Sequence, residues 1–301
     1  MFNVPILAMH PQSIKGKIKG AILASNGEKS LMKVITVLNE KGGVGKTTMT
    51  MTVSAGLAIM GYRVLVIDAD PQAHLTISFG VDKQYSLYDL LVRDAEFSDK
   101  NIVHAIPPEV YAMPSSEMKT DKGRLFLIPG NKETRLISQA LENNLFAIRN
   151  RLAELERADL VDAVIFDTSP TPSNFHALIY LATHHILYPT EVTYLSFDGL
   201  VASIQSTTGY SEQKKKSGLE GIKLTGIIPT KFRHNLLEHQ EKFASLKKGF
   251  GDLVWQPMPM SVVWEEALAR RRSIFSYAYD HPAASNAWKI VRKAKEKIFD
   301  E

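Results

Sequence analysis

Eight consecutive residues, Lys41-Gly42-Gly43-Val44-Gly45-Lys46-Thr47-Thr48, constrain this chain more than any other segment. Ahead of them, residues 34–38 form a short apolar run rich in β-branched side chains, which suits a buried parallel strand. Behind them, residues 47–60 read as a helix with Gly61 as its stop. A strand that turns through glycines into a helix makes a cradle for phosphate. Without a Cβ in the way, successive backbone N–H groups can point inward at an anion. The helix N-terminus adds its dipole and its unpaired donors. Lys46 would set a cation against the β- and γ-phosphates of a nucleotide. Thr47 would offer a hydroxyl to Mg²⁺, and Thr48 one near the α-phosphate. ATP and Mg²⁺ are the expected ligands.

The pattern that starts there repeats. Residues 64–67, 125–128, 164–166, 186–188, 224–228 and 254–255 are further strand candidates. Residues 133–160, 174–181, 199–215, 236–248, 263–272 and 283–298 carry helical patterns. In 133–160, for example, Leu136, Ala140, Leu141, Leu145, Ile148, Leu152 and Leu155 fall at three- and four-residue steps. Strands that are apolar throughout and alternate with helices indicate an α/β fold with a doubly wound, mostly parallel sheet covered on both faces. Residues 31–301 read as one such domain. Residues 1–30, with the stretch Lys15-Gly16-Lys17-Ile18-Lys19-Gly20, read as an N-terminal extension. Residues 80–124 are irregular, punctuated by Pro107, Pro108, Pro114 and Gly123. There is no cysteine, which excludes disulfides and thiolate metal sites. No apolar run approaches the roughly 18 residues of a spanning helix, and no leader pattern opens the chain. The expected location is cytoplasmic.

The loop at 41–48 resembles the deviant Walker A box of the ParA/MinD/Soj family of P-loop ATPases, whose mark is a second lysine at the start of the loop, here Lys41. The resemblance runs from Lys33 over nearly the whole remaining chain. Asp68-Ala69-Asp70-Pro71-Gln72 is similar to the family's switch I, and residues 163–167 followed by Thr168-Ser169-Pro170 to its Walker B strand and switch II. Pro189-Thr190-Glu191 with Phe197-Asp198-Gly199-Leu200, residues 226–230 and residues 257–267 match later boxes. The resemblance implies a form without the N-terminal helix-turn-helix of larger members, because thirty residues are too few for one. It implies slow ATP hydrolysis and a homodimer formed on ATP, with Lys41 reaching the partner's phosphates. Gly42, Gly43, Val44, Gly45, Lys46, Thr47 and Thr48 would hold the phosphates, and Thr230, Pro257, Met258 and Pro259 would border the base. Asp167 would hold Mg²⁺ through a water beside Thr47. Asp68 would support the same shell or cap the following turn. Asp70, at the C-terminal end of a strand where ligands sit in doubly wound sheets, is the candidate for orienting the attacking water. Two positions depart from the family pattern. His74 stands where Asn is usual, and Ser169 replaces the first of two prolines.

Charge is unevenly placed. Residues 1–33 carry +4, residues 201–301 carry +6, and the middle carries −6, for a total of +4. Basic ends around an acidic middle fit a polyanion partner, or equally an uneven solvated surface. The resemblance implies non-specific DNA binding through Arg233, Arg270, Arg271 and Arg272 on the nucleoid. It also implies a ParB-like or cargo adaptor that stimulates hydrolysis, in the service of plasmid or chromosome partition. A MinD-like role at a membrane surface is the alternative, and would need the apolar positions of 283–298 to face lipid. No membrane partner is expected. Metal-cluster or reductase relatives usually carry cysteines at the dimer seam, and this chain has none. His184-His185 and Lys214-Lys215-Lys216 read as solvated helix ends.

Overall fold

The apolar runs fold as strands of one sheet in the computed structural model, which describes residues 31–99, 101–113 and 123–301. The basic stretch at 15–20 lies outside the described residues. The strands are β1 (Lys33–Val37), β2 (Arg63–Ala69), β3 (His104–Ala105), β4 (Arg124–Ile128), β5 (Ala163–Thr168), β6 (His185–Glu191) and β7 (Lys223–Thr230). Their spatial order is β3-β4-β2-β5-β1-β6-β7. All pairs are parallel except β3 with β4, an antiparallel edge within the stretch read as irregular. The helices are α1 (Lys46–Ile59), α2 (His74–Ser78), α3 (Leu87–Leu91), α4 (Pro108–Tyr111), α5 (Ile137–Ala140), α6 (Ala147–Arg157), α7 (Asn174–Ala182), α8 (Tyr194–Lys216), α9 (Leu237–Phe250), α10 (Val263–Ala269), α11 (Ile274–Tyr277) and α12 (Pro282–Lys295).

Alternation along each strand divides the core. Ile35 and Val37 of β1, with Val64, Val66 and Ile165, pack on one face against α1 and α12. Val34, Leu65, Ile67, Val164 and Phe166 pack on the other face against α6 and α7. Both faces are therefore covered, which is why the central strands read as continuous apolar runs rather than alternating ones. A third cluster joins β6 and β7 to α9 through Tyr188, Ile227 and Leu246.

Four expectations change. The single helix over 133–160 is instead a 3₁₀ turn (Lys132–Leu136), α5 and α6, with turns between. Asn143 and Asn144 fall at the break, and such side chains compete with helical backbone bonding. Residues 254–255 make an isolated bridge, Ile227 to Val254, rather than a full strand. His184 and His185 are not solvated: His184 Nδ1 accepts from Val34 N–H at 3.1 Å, and His185 Nδ1 lies 2.9 Å from Thr225 Oγ1. Lys214, read with them as solvated, is only 1% exposed and donates to the Thr183 carbonyl. One further placement bears on function. Ala283, Ala287, Ile290, Val291, Ala294 and Ile298, the positions a membrane-facing tail would need, are buried against the core. That face cannot also meet lipid without leaving the protein interior.

Candidate nucleotide and hydrolysis site

The site gathers where β1, β2, β5, β6 and β7 end, at the C-terminal edge on which doubly wound sheets bind ligands. Gly43 and Gly45 take φ values of +74° and +88°, a left-handed backbone that glycine adopts without strain. A Cβ on Gly42 would meet nothing within 4 Å, so the mouth of the loop is open. Val44 is buried, and its carbonyl accepts from Thr230 Oγ1 at 2.8 Å, so the end of β7 buttresses the loop. The 14-residue α1 then starts at Lys46 with no side-chain cap, its first N–H groups left for a ligand. Lys46 is buried and its Nζ donates to the Lys41 carbonyl at 3.0 Å, across the mouth of the loop. Burial lowers its pKa, and the carboxylates of Asp167 and Asp70 oppose that shift.

Asp167 closes β5 directly opposite Asp68 of β2. Thr47 Oγ1 donates to Asp167 Oδ2 at 2.8 Å, and Thr50 Oγ1 to Oδ1 at 3.1 Å. Asp68 accepts from Thr76 N–H at 2.8 Å and Thr76 Oγ1 at 2.6 Å on Oδ2, and from Asp70 N–H at 3.2 Å on Oδ1. Both carboxyls are fully buried, and burial pushes both well above the usual carboxylate range. Proximity to Asp68 pushes Asp167 further in the same direction. A hard divalent cation would relieve this pressure and favour the ionised form. The hydroxyl of Thr47 and the carboxylate of Asp167 form the sparse all-oxygen set that Mg²⁺ takes alongside phosphate oxygens and waters. The residues present therefore fit the ion.

Asp70 lies in the turn after β2. Its Oδ1 accepts from Gln72 N–H at 2.8 Å, so this carboxylate is held by its own turn. Met258 and its neighbours run beside β7: Met258 N–H donates to the Pro229 carbonyl at 2.7 Å, Asn286 Nδ2 to the Pro257 carbonyl at 3.0 Å, and Trp264 Nε1 to the Pro259 carbonyl at 3.1 Å. Arg270, Arg271 and Arg272 are exposed where α10 ends, with Arg271 at φ +57° and its stem close to Gly80. Arg233, in the loop after β7, reaches Met260 Sδ at 3.0 Å.

Around Lys41, several contacts carry no role that the sequence alone assigns. Lys41 Nζ donates to Glu191 Oε2 at 2.9 Å, and Lys231 Nζ holds Glu191 Oε1 at 2.9 Å. Burial alone would raise the Glu191 carboxyl, but the two lysines outweigh it and hold the group below its ordinary range. Asn39 accepts the Lys41 N–H at 2.9 Å and donates to the Pro189 carbonyl at 2.9 Å, tying the loop to β6. His176 spans the loop after Asp167. Its Nδ1 accepts from Ser173 N–H at 3.2 Å, which leaves Nε2 to donate to the Ser169 carbonyl at 3.3 Å. Its burial beneath that loop lowers its pKa and keeps it neutral. Lys41 and Glu191 fall in the boxes named above; for the others the sequence signal is position, Asn39 and Lys231 just beyond strand ends and His176 in the first turn of α7.

Residues 32–220 match the family described as AAA domain (AAA_31). The chain is 28% identical over 272 residues to the chromosome-partitioning ATPase Soj of Thermus thermophilus, covering 90% of this chain and 98% of that protein. It is 29% identical over 271 residues to the sporulation initiation inhibitor protein Soj of Bacillus subtilis, covering 88% and 97%. Among solved structures, the ATP complex of a McdA variant from Cyanothece superposes with a TM-score of 0.70 at 21% identity, covering 88% of this chain and 96% of that one. A likeness at that identity speaks for the fold alone, whereas the family match spans the loop, both switches and the strands between them. With the phosphate loop, its second lysine and the paired strand-end aspartates in place, the chain belongs to the AAA_31 family and is a P-loop ATPase of the ParA/Soj type.

Proposed function

We propose that this protein is a nucleotide switch that binds ATP with Mg²⁺, pairs with a second copy across the nucleotides, and in that state holds DNA without regard to sequence. Slow hydrolysis, stimulated by a ParB-like or cargo adaptor, resets it. The work served is partition of a plasmid or chromosome, or positioning of a comparably large cargo, on the nucleoid. The observation that carries this reading is Lys41. Lys46 already crosses the mouth of its own loop, whereas Lys41 turns away from that loop to Glu191 with its side chain 38% exposed. A second cation at the rim is placed for phosphates approaching from outside.

The geometry supports a division of labour. Backbone N–H groups of 42–48 and Lys46 hold the phosphates. Thr47 and Asp167 would hold Mg²⁺, which when bound shields the phosphate charge from the attacking oxygen. Thr50 and Thr76 orient the two buried carboxylates by hydrogen bonds. Asp70 orients water once released from Gln72 N–H. Pro257, Met258 and Pro259, fixed by Asn286 and Trp264, make the wall for the base. Arg233 and Arg270–Arg272 present the cations for DNA phosphates.

Mass measurement by light scattering tests the central claim. ATP with Mg²⁺, or a slowly hydrolysed analogue, should convert monomer to dimer, and ADP should not. Lys41→Ala should bind nucleotide and remain monomeric. A Lys41→Ala dimer equal to wild type would remove the lysine from the interface and with it the observation on which the reading rests.

A further inference from the structure

A cleft of about 830 Å³ opens beside the phosphate site, and none of the phosphate-loop residues lines it. Its lining includes Pro71 and Gln72, the two residues that follow Asp70, with Lys83, Lys132, Glu133 and Arg135. Three of these side chains are cationic. The carboxylate of Glu133 is already claimed by Arg93, which donates to Oε1 at 2.7 Å and to Oε2 at 3.0 Å. The charged side chains that line the cleft therefore sum to a net positive charge. The lining connects to Asp70 by hydrogen bonds. Lys83 Nζ donates to the Gln72 carbonyl at 3.0 Å, and Gln72 N–H donates to Asp70 Oδ1 at 2.8 Å. Lys83 is also tied to Asn131, which lines the same cleft, where Asn131 Nδ2 donates to its carbonyl at 3.3 Å.

We propose that this cleft receives an acidic segment of a partner protein, whose carboxylates engage Lys83, Lys132 and Arg135, and that its occupancy changes ATP turnover by drawing Lys83 off Gln72 and releasing Asp70. The volume lies in the range that seats a few side chains. A cleft of about 830 Å³ admits a few peptide side chains, whereas a whole duplex does not enter it. Opposite charge supplies the attraction, so binding weakens with salt. The turnover half of the proposal rests on the role given to Asp70 above; the docking half does not.

Fluorescence anisotropy with a labelled oligoglutamate peptide tests the docking half. Wild type should bind it. Lys132→Glu/Arg135→Glu, both at exposed positions, should bind about tenfold more weakly, since reversing two charges turns attraction into repulsion. Arg270→Glu/Arg271→Glu should bind it like wild type. Absent binding, undiminished binding in the cleft variant, or equal loss in both variants would each overturn the site. A short duplex is the second probe. Loss of duplex binding in the cleft variant would overturn the assignment in favour of nucleic acid. For the turnover half, saturating peptide should change wild-type phosphate release about twofold or more and leave the cleft variant at its basal rate. Peptide that binds without moving the rate overturns the coupling. Unimpaired turnover in Asp70→Ala, with peptide binding intact, would instead fault the role given to Asp70.

Discussion

At the scale of single residues, the two aspartates that end β2 and β5 and the aspartate in the turn after β2 are separated by their surroundings rather than by their chemistry. Asp68 and Asp167 are buried and held by threonines and, at Asp68, by the Asp70 N–H, which fits holding and orienting. Asp70 accepts only a turn N–H within its own loop among the bonds described, and it can swing without breaking the fold. Replacing Asp70 by Ala should leave nucleotide binding within a small factor of wild type, because the phosphate cradle is untouched. Turnover should fall about a hundredfold or more, the usual contribution of a positioned carboxylate to water activation. Phosphate release measured beside nucleotide affinity decides this. Turnover near wild type would take Asp70 out of the chemistry. The phosphate loop itself is legible in the sequence because it is local: eight adjacent residues carry the whole signal. The clasp of Glu191 by Lys41 and Lys231 is not, because its acid and Lys41 lie 150 positions apart and meet only when β1 and β6 pair.

At the scale of elements, the packing of α12 on α1 positions the phosphate helix. A Cβ added to Gly56 would lie 2.4 Å from Val291 Cγ2 and 2.6 Å from Cγ1. Glycine is therefore present at mid-helix for close approach, and the cost of its backbone freedom is outweighed by packing. Gly56→Ala should destabilise the protein by about 1–3 kcal/mol, although alanine is the better helix former by about 1 kcal/mol. Val291→Ala in the same chain should recover part of the loss, and denaturant unfolding of the four proteins in the cycle measures the coupling. Additive effects would mean that the helices do not meet at this point. Strand positions in this sheet are readable because central strands are apolar at every position. The break in 133–160 is hidden for a related reason: the apolar spacing continues across Asn143-Asn144, whereas the helical backbone does not.

At the scale of the whole molecule, charge and burial set two behaviours. DNA binding should require ATP, tolerate unrelated sequences and weaken with salt. Removing one pairing of a cation with a DNA phosphate should lower the slope of log affinity against log salt by about 0.9. A salt series on two duplexes, with Arg271→Glu/Arg272→Glu beside wild type, checks this; binding that is indifferent to nucleotide would contradict the switch. The second behaviour concerns acid. Burial pushes the pKa of His184 and of His185 down to about 4, helped by Lys214 at the first and by His184 at the second. Lys33, Lys223 and Arg149 act in the same direction, and Glu220 opposes them at His184. The unfolded chain takes up protons near pH 6.5 that the folded chain refuses until about pH 4. Stability should therefore fall as the pH drops through that window, by an amount on the order of 3 kcal/mol for each histidine. His184→Gln should flatten the profile in urea titrations at stepped pH, and an unchanged profile would place the acid sensitivity elsewhere. Sequence offers no warning of this pair, because adjacent histidines beside a helix end look solvated until β6 is seen to run between β1 and β7.

The seating of α12 against α1 also sets a timetable. Val291 leaves the ribosome 235 residues after Gly56. At about 5–20 residues per second, that is roughly 10–50 s during which the helix behind the phosphate loop has one flank uncovered. A nascent chain in that interval carries the complete loop motif without the support that fixes it. Firm nucleotide binding by the loop should therefore wait until α12 has emerged and packed on α1.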